Sequence, residues 1–257
     1  MKRTSKHIEK KGDTFYVSAS QLIAYHQCPA RYAFTRRLAS LRPPAHFIAD
    51  GIAGHALMAR EERLPVGINA RVIRLVERTR NYMDKHYEID VGNVELEQEL
   101  GLRGDIQLLR KIDALAEDDL GRVVIDYKFV GSQWDVIPEL GLAPKAAGFQ
   151  SKCYLIPPPE TDWPDRIHYV VVSDDALKVY KYSTRPDDLK EVVDASVNMK
   201  TAWDAQRLPR NEGYACHSYC PFRAPCFGEK DWESDFKSVE NDPYSRDVRY
   251  RNEETQT

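Results

Sequence analysis

Between Gln107 and Val130 the chain reads as a β-hairpin. Two apolar runs, 107–116 and 122–130, flank Asp118, Asp119 and Gly121, residues that favour a tight reversal. Charged residues interrupt these runs at Asp113, Asp126 and Lys128. In a strand, positions two apart project to the same side, so Asp126 and Lys128 leave one face together. Asp113, on the neighbouring strand, can reach the same place. Two carboxylates and an ammonium then converge beside a sheet, where burial is costly without a task. Carboxylates of this kind bind Mg²⁺ or Mn²⁺ through hard oxygens. A bound metal polarises a phosphoryl oxygen and acidifies water, and a lysine beside it orients the water or offsets charge. The competing reading is a surface hairpin with two acids and a salt-bridged lysine.

The rest of the chain surrounds this hairpin with alternating element types. Residues 18–38 read as two helical pieces, capped at Ser18 or Ser20, with Cys28 at the junction and Pro29 in the next first turn. Helices are expected over 47–63 and 66–86. A half-buried strand is expected over 93–100, where Val94, Leu96 and Leu100 alternate with glutamates. A helix over 144–155 ends before Pro157, Pro158 and Pro159. Strands over 167–173 and 177–183 precede a last helix over 186–206. This order implies an α/β fold with a mixed central sheet flanked by helices. Residues 1–227 are expected to form one domain, and 228–257 a polar tail that frays.

Bulk composition fits that picture. The chain has 257 residues, a net charge of −3 and 30% charged residues. A DNA-binding protein can be acidic overall if its cations line a groove, whereas a non-specific coating role is disfavoured. No apolar run is long enough to span a membrane, and the basic N-terminus lacks a signal-peptide core, so a cytoplasmic location is expected.

Three further features carry candidate chemistry. His55 follows Gly51-Ile-Ala-Gly54 in an expected helix, where an imidazole could add a nitrogen ligand or simply be structural. Gln150 and Tyr154, four apart, share a helix face and could hydrogen-bond a phosphate or base edge. Arg71, Arg74 and Arg78 share a face of another helix and could contact phosphates, although a solvated face explains them equally. Tyr25, Tyr32 and Tyr219 could stack bases or belong to the core.

Taken in order, His55, Asp113, Asp126-x-Lys128 and Gln150-x-x-x-Tyr154 resemble the RecB-like branch of the PD-(D/E)XK nucleases, especially the Cas4 type. The N-terminal text SASQLIAYHQCPARYAF is similar to that branch too, and the resemblance covers roughly Ser18 to Phe227. It implies a restriction-endonuclease-like core. It implies that His55, Asp113, Asp126 and the backbone carbonyl of Tyr127 hold Mg²⁺ or Mn²⁺, that Lys128 is catalytic, and that Gln150 and Tyr154 position DNA. The implied activity is exonuclease cleavage of single-stranded DNA or DNA ends. Helicase, recombination or CRISPR adaptation proteins would be the partners. A non-catalytic DNA-binding or adaptor subunit is one alternative, against which the complete residue set argues; a zinc-stapled, sequence-specific endonuclease is another.

Cys28 and the trio Cys216-x3-Cys220-x5-Cys226 look like one site closed by the two ends of the chain. Thiolates are the usual ligands of iron–sulfur clusters and structural zinc. The layout resembles the 4Fe–4S staple of Cas4 and AddB-type nucleases, whose usual trio is C-x2-C-x5-C; the extra residue here is a departure. Zinc is the rival, with His217 able to replace a cysteine. Cys153 reads as a core thiol.

Overall fold

The structure, a computed structural model, describes residues 14–41, 46–60, 68–100, 105–131, 147–159, 161–212, 220–229, 231–239 and Pro243. Its centre is a six-stranded mixed sheet. The strands are β1 (Phe15–Ser18), β3 (Glu88–Leu100), β4 (Ile106–Asp118), β5 (Gly121–Phe129), β6 (Arg166–Val172) and β7 (Leu177–Ser183). The long strand β4 organises it. Along one edge it pairs antiparallel with β3. Its other edge is shared: β1 lies parallel to residues 106–109, and β5 antiparallel to residues 114–118. Beyond β5 the sheet continues through parallel β6 and antiparallel β7.

Helices cover both faces because the central strands are apolar on both. Val124 joins one core with Leu22, Tyr154 and Val192, while Val123 and Ile125 join the other with Ala53, Val72 and Leu75. The first core is covered by α1 (Ala19–Gln27), α5 (Ala147–Leu155) and α6 (Asp188–Asp204). The second is covered by α3 (His46–Ala59) and α4 (Ala70–His86). Each apolar Val or Leu side chain taken fully out of water stabilises by ~1.5–3 kcal/mol.

Ser18 is the N-cap of α1, and the Gln21 side chain reaches back to accept from its N–H at 3.0 Å. Cys28 is extended and separates α1 from α2 (Pro29–Arg37), with Pro29 in the first turn as expected. Asn69 caps α4 by accepting from the Val72 N–H at 3.0 Å, so this helix starts later than the expected residue 66. Helix α3 ends at Ala59, before a left-handed Arg60; residues 61–67 lie outside the described set. The expected start of α5 at Pro144 also lies outside it. Helix α6 starts two residues after Pro186, where Asp188 accepts from the Arg185 N–H at 2.8 Å.

In the central sheet, one strand escaped the sequence reading and another was read short. β1 is only four residues long, too short for a period to show. β3 begins at Glu88 rather than 93: Ile89 and Val91 alternate with Glu88 and Asp90, but Gly92 and Asn93 interrupt the pattern before Val94, and residues 88–93 are exposed. The tail after Phe227 was expected to fray. Its segment Phe236–Ser238 (β8) instead pairs antiparallel with β2 (Leu38–Ser40). Phe222 stacks on Phe34 at 6.0 Å and meets Phe236 at 5.6 Å, so aromatic contact offsets the cost of ordering a polar segment. Tyr32 is wholly buried and packs edge-on to Tyr25 and Trp203, which places it in the core and away from any base.

Candidate active site

The β4–β5 ladder runs from Asp118–Gly121 only as far as Ala114–Ile125, and the strands then part. Beyond the fork, the Tyr127 N–H lacks a β4 carbonyl to bond. It donates instead to Asp113 Oδ2 at 2.7 Å. Asp113 thus sits where β4 changes partners, and its carboxylate satisfies an amide that the divergence would strand. The fork is what brings Asp113 to Asp126 and Lys128.

His55 reaches the fork from the α3 side, and its Nδ1 lies 3.0 Å from Asp113 Oδ1. An ionised carboxylate only accepts, so Nδ1 is the donor, and Nε2 is the ring nitrogen that Asp113 does not engage. Gly54 makes this approach feasible. A Cβ on it would stand 2.4–2.8 Å from ring atoms of Phe129 on β5. His55 itself meets that ring edge-on at 5.7 Å.

Gln150 arrives from the opposite side, on α5. Its Nε2 donates to Asp126 Oδ1 at 2.9 Å and to the Tyr154 hydroxyl at 3.2 Å. Gln150 and Tyr154, expected to touch DNA, therefore have a nearer task, which is to orient a carboxylate. Tyr154 is buried, which suits it to holding Gln150. Lys128 Nζ forms an ion pair with Asp126 Oδ2 at 2.5 Å, and this buried oxygen has no other partner among the described residues. The ammonium also stands 5.9 Å from the centre of the Tyr169 ring, whose hydroxyl is locked to Ser151 at 2.7 Å.

The two carboxylates are driven apart electrostatically. Burial pushes Asp126 above the usual carboxylate range; Lys128 opposes this and Asp113 adds to it. Burial would also raise Asp113, but the hydrogen bond and charge of His55, the charge of Lys128 and the Tyr127 N–H hold it below. Two buried acids of such opposite preference are both ionised most readily beside added positive charge.

Among the described residues, no three His, Cys, Asp or Glu side chains form a ready-made metal shell. Each donor is held by an internal partner instead: His55 by Asp113, Asp126 by Lys128 and Gln150. The donor set still suits a divalent ion in chemistry. It offers hard carboxylate oxygens, one imidazole nitrogen, and a buried Asp126 Oδ2 with no partner but Lys128 among the described residues.

The arginine face on α4 has a different use from the expected one. Arg71 donates to Asp50 at 2.5 Å, Asp174 at 2.6 Å and the Val130 carbonyl at 2.8 Å. Arg78 donates to the carbonyls of Ser173 and Asp174 at 3.2 and 3.3 Å. Both tie α4 to the β6–β7 turn because carboxylate and carbonyl acceptors converge there. Arg74 remains exposed.

Arg110 went unnoticed in the sequence. It is buried on β4 and donates to the Ile156 carbonyl at 2.5 Å, to Gln98, and at 3.4–3.5 Å to the carbonyls of Tyr154 and Cys153. These acceptors include the C-terminal carbonyls of α5, so a cation stabilises the helix that carries Gln150. No side-chain spacing could have revealed it, since three of the four partners are backbone atoms.

Cys28, Cys220 and Cys226 line a single pocket with Arg31, Phe34 and Phe222. Cys28 Sγ accepts from the Asn211 N–H at 3.4 Å. Cys216, His217 and Tyr219 lie outside the described residues. Cys153 is fully buried, and that burial pushes its thiol up to about 12, in keeping with an inert core group.

A family model described as the PD-(D/E)XK nuclease superfamily matches residues 61–227. No curated protein matches the chain. Among solved structures, the “Putative exonuclease” from Eubacterium rectale is 13% identical, with 85% of this chain and 94% of that chain covered and a TM-score of 0.52. That likeness speaks for the fold alone. The crystal structure of SSO0001 is 14% identical, covering 86% and 90% of the two chains, at a TM-score of 0.46. An alkaline exonuclease (LHK-Exo) from Laribacter hongkongensis is 13% identical, covering 75% and 89%, at 0.38.

Proposed function

The chain belongs to the PD-(D/E)XK nuclease superfamily, and on that premise we propose that it is a metal-dependent DNA exonuclease of the RecB-like, Cas4 type, acting on single-stranded DNA or DNA ends. One observation carries the reading. At the β4–β5 fork two sets of contacts, His55–Asp113–Tyr127 and Gln150–Asp126–Lys128, are joined through the adjacent residues Asp126 and Tyr127 of β5.

Asp113, Asp126, His55 through Nε2, and the Tyr127 carbonyl would hold Mg²⁺ or Mn²⁺. Such an ion polarises the phosphoryl oxygen and acidifies a water. The remaining work belongs to the protein. Gln150 fixes Asp126 through Oδ1 and so aims Oδ2 into the site. Asp113 fixes the His55 tautomer. Lys128 orients the attacking water and offsets the charge that develops on the phosphate oxygens. Because imidazole suits transition metals better than Mg²⁺, Mn²⁺ is the stronger activator.

Cys28, Cys216, Cys220 and Cys226 would hold a 4Fe–4S cluster. The three described thiols sharing one pocket support this reading. The cluster would reinforce the junction already made by β2, β8 and the Phe34–Phe222–Phe236 stack. Unwinding of duplex DNA would fall to a partner such as a helicase, in recombination or CRISPR adaptation.

The test is wild-type protein, purified anaerobically, on end-labelled single- and double-stranded DNA with and without Mn²⁺. A metal-dependent ladder shortening from one end is expected, together with iron and broad brown absorbance. Binding without cleavage would instead favour an adaptor subunit, and zinc without iron would overturn the cluster.

A further inference from the structure

The cleft on the β3 side of the fork is lined by His55, Asp113 and Tyr127, and also by Asn93 and Lys111. Lys111 lies two residues before Asp113 on β4 and pairs in register with Glu95 of β3. It is exposed, and among the described residues it makes no ion pair or hydrogen bond. Asn93 sits beside it on β3 in a left-handed conformation, φ 54°, which asparagine tolerates better than most residues. Its carboxamide likewise has no hydrogen-bond partner among the described residues.

The charge around this cleft gives the pair its meaning. β3 presents Glu88, Asp90, Glu95, Glu97 and Glu99 to solvent. A polyanion is repelled along that strand, so phosphates approaching Asp113 need a local cation. Lys128 is engaged with Asp126, and Arg71 and Arg78 are committed to the β6–β7 turn. Among the described residues, Lys111 is the cation that lines this side of the cleft.

We propose that Lys111, with the Asn93 carboxamide, grips the phosphate next to the one being cleaved and sets the register of the strand in the site. The proposal rests on the nuclease reading above. Its effect belongs to binding, because the contact is made equally in the ground and transition states.

The test compares full-length wild type, Lys111→Ala, Lys111→Arg and Asn93→Gly. Binding of a fluorescent oligodeoxythymidylate is measured by anisotropy in EDTA across a NaCl series, and Mn²⁺-dependent cleavage is measured beside it. For Lys111→Ala, affinity is expected to fall roughly five- to tenfold at low salt. The slope of log affinity against log salt should become shallower by about 0.7, the value for one phosphate contact on a single strand. KM should rise in step while kcat holds. Lys111→Arg should retain the wild-type slope, and Asn93→Gly should weaken binding about two- to threefold without changing the slope. Unchanged affinity and slope in Lys111→Ala, with wild type binding and cleaving normally, would overturn the assignment and leave the nuclease reading intact. A fall in kcat with KM unchanged would also overturn it. Failure of wild type itself to bind or cleave DNA would overturn the nuclease reading, and this one with it.

Discussion

Asp126 is 3% exposed, and its Oδ2 has no partner but Lys128 among the described residues. Such an oxygen is tolerable only beside a cation, so the residues around it should be sensitive to small changes. Gly54→Ala puts a Cβ into the Phe129 ring and must move α3 away from β5. A stability loss of ~1–3 kcal/mol is expected, with a larger proportional loss of Mn²⁺-dependent cleavage as His55 leaves Asp113. Adding Phe129→Leu should restore part of both, and denaturant melts with cleavage rates check this. Gln150→Leu leaves Asp126 less well oriented; cleavage should fall about 10- to 100-fold with melting little changed. His168 makes a separate, pH-dependent prediction. It is buried beside Tyr87, whose hydroxyl lies 2.8 Å from Nδ1. Burial, with the nearby Lys181 and Arg166 charges and against Asp118, lowers its pKa to about 4. The unfolded chain binds that proton near 6.5, so this contribution is complete above pH 6.5 and is lost as pH falls towards 4. Wild type should lose more stability than His168→Gln between pH 7 and pH 4.5 in urea melts.

Among the elements, α5 is held at its C-terminal end by Arg110, whose pKa burial lowers to about 10, still charged at neutral pH. Arg110→Met strands several carbonyl groups and should cost about 2–4 kcal/mol. Cleavage should drop as Gln150 loses its place, and Arg110→Lys should recover part of it. Parallel melting and activity curves check that order. The hairpin β4–β5 was legible because two apolar runs flank the Asp118–Gly121 turn, and Asp126 with Lys128 follows from a period of two. The same period marks Lys111 beside Asp113, a signal that was present and unused. The fork was not legible. Nothing in the sequence says where β4 leaves β5, because the separation depends on β1 taking over the same edge, and β1 is four residues long. The role of Arg71 was misjudged for a related reason: its acceptors, Asp50 and Asp174, are distant in sequence.

For the molecule as a whole, segments far apart in the chain meet beside the sheet. β2 and β8 pair, three aromatic rings stack across them, and Cys28 shares a pocket with Cys220 and Cys226. If a cluster closes this junction, Cys226→Ser should lose iron and brown absorbance and lower the melting temperature by several degrees, since one ligand is removed from a folding-linked site. An unchanged melt would mean that β8 and the aromatic stack suffice. No described helix is long and apolar enough to cross a membrane. The proposed active site stands at the β4–β5 fork, reached by α3 from one face and α5 from the other, so on this reading the fold serves to bring the two sets of side chains together. The most direct test of that claim is the rate of Mn²⁺-dependent DNA cleavage by Lys128→Ala against wild type, with equal folding verified by circular dichroism. A fall of about a hundred- to a thousandfold is predicted, the range for losing a charge-stabilising group in the transition state. A folded Lys128→Ala protein that cleaves at the wild-type rate would contradict the account and move the reaction away from the β4–β5 fork.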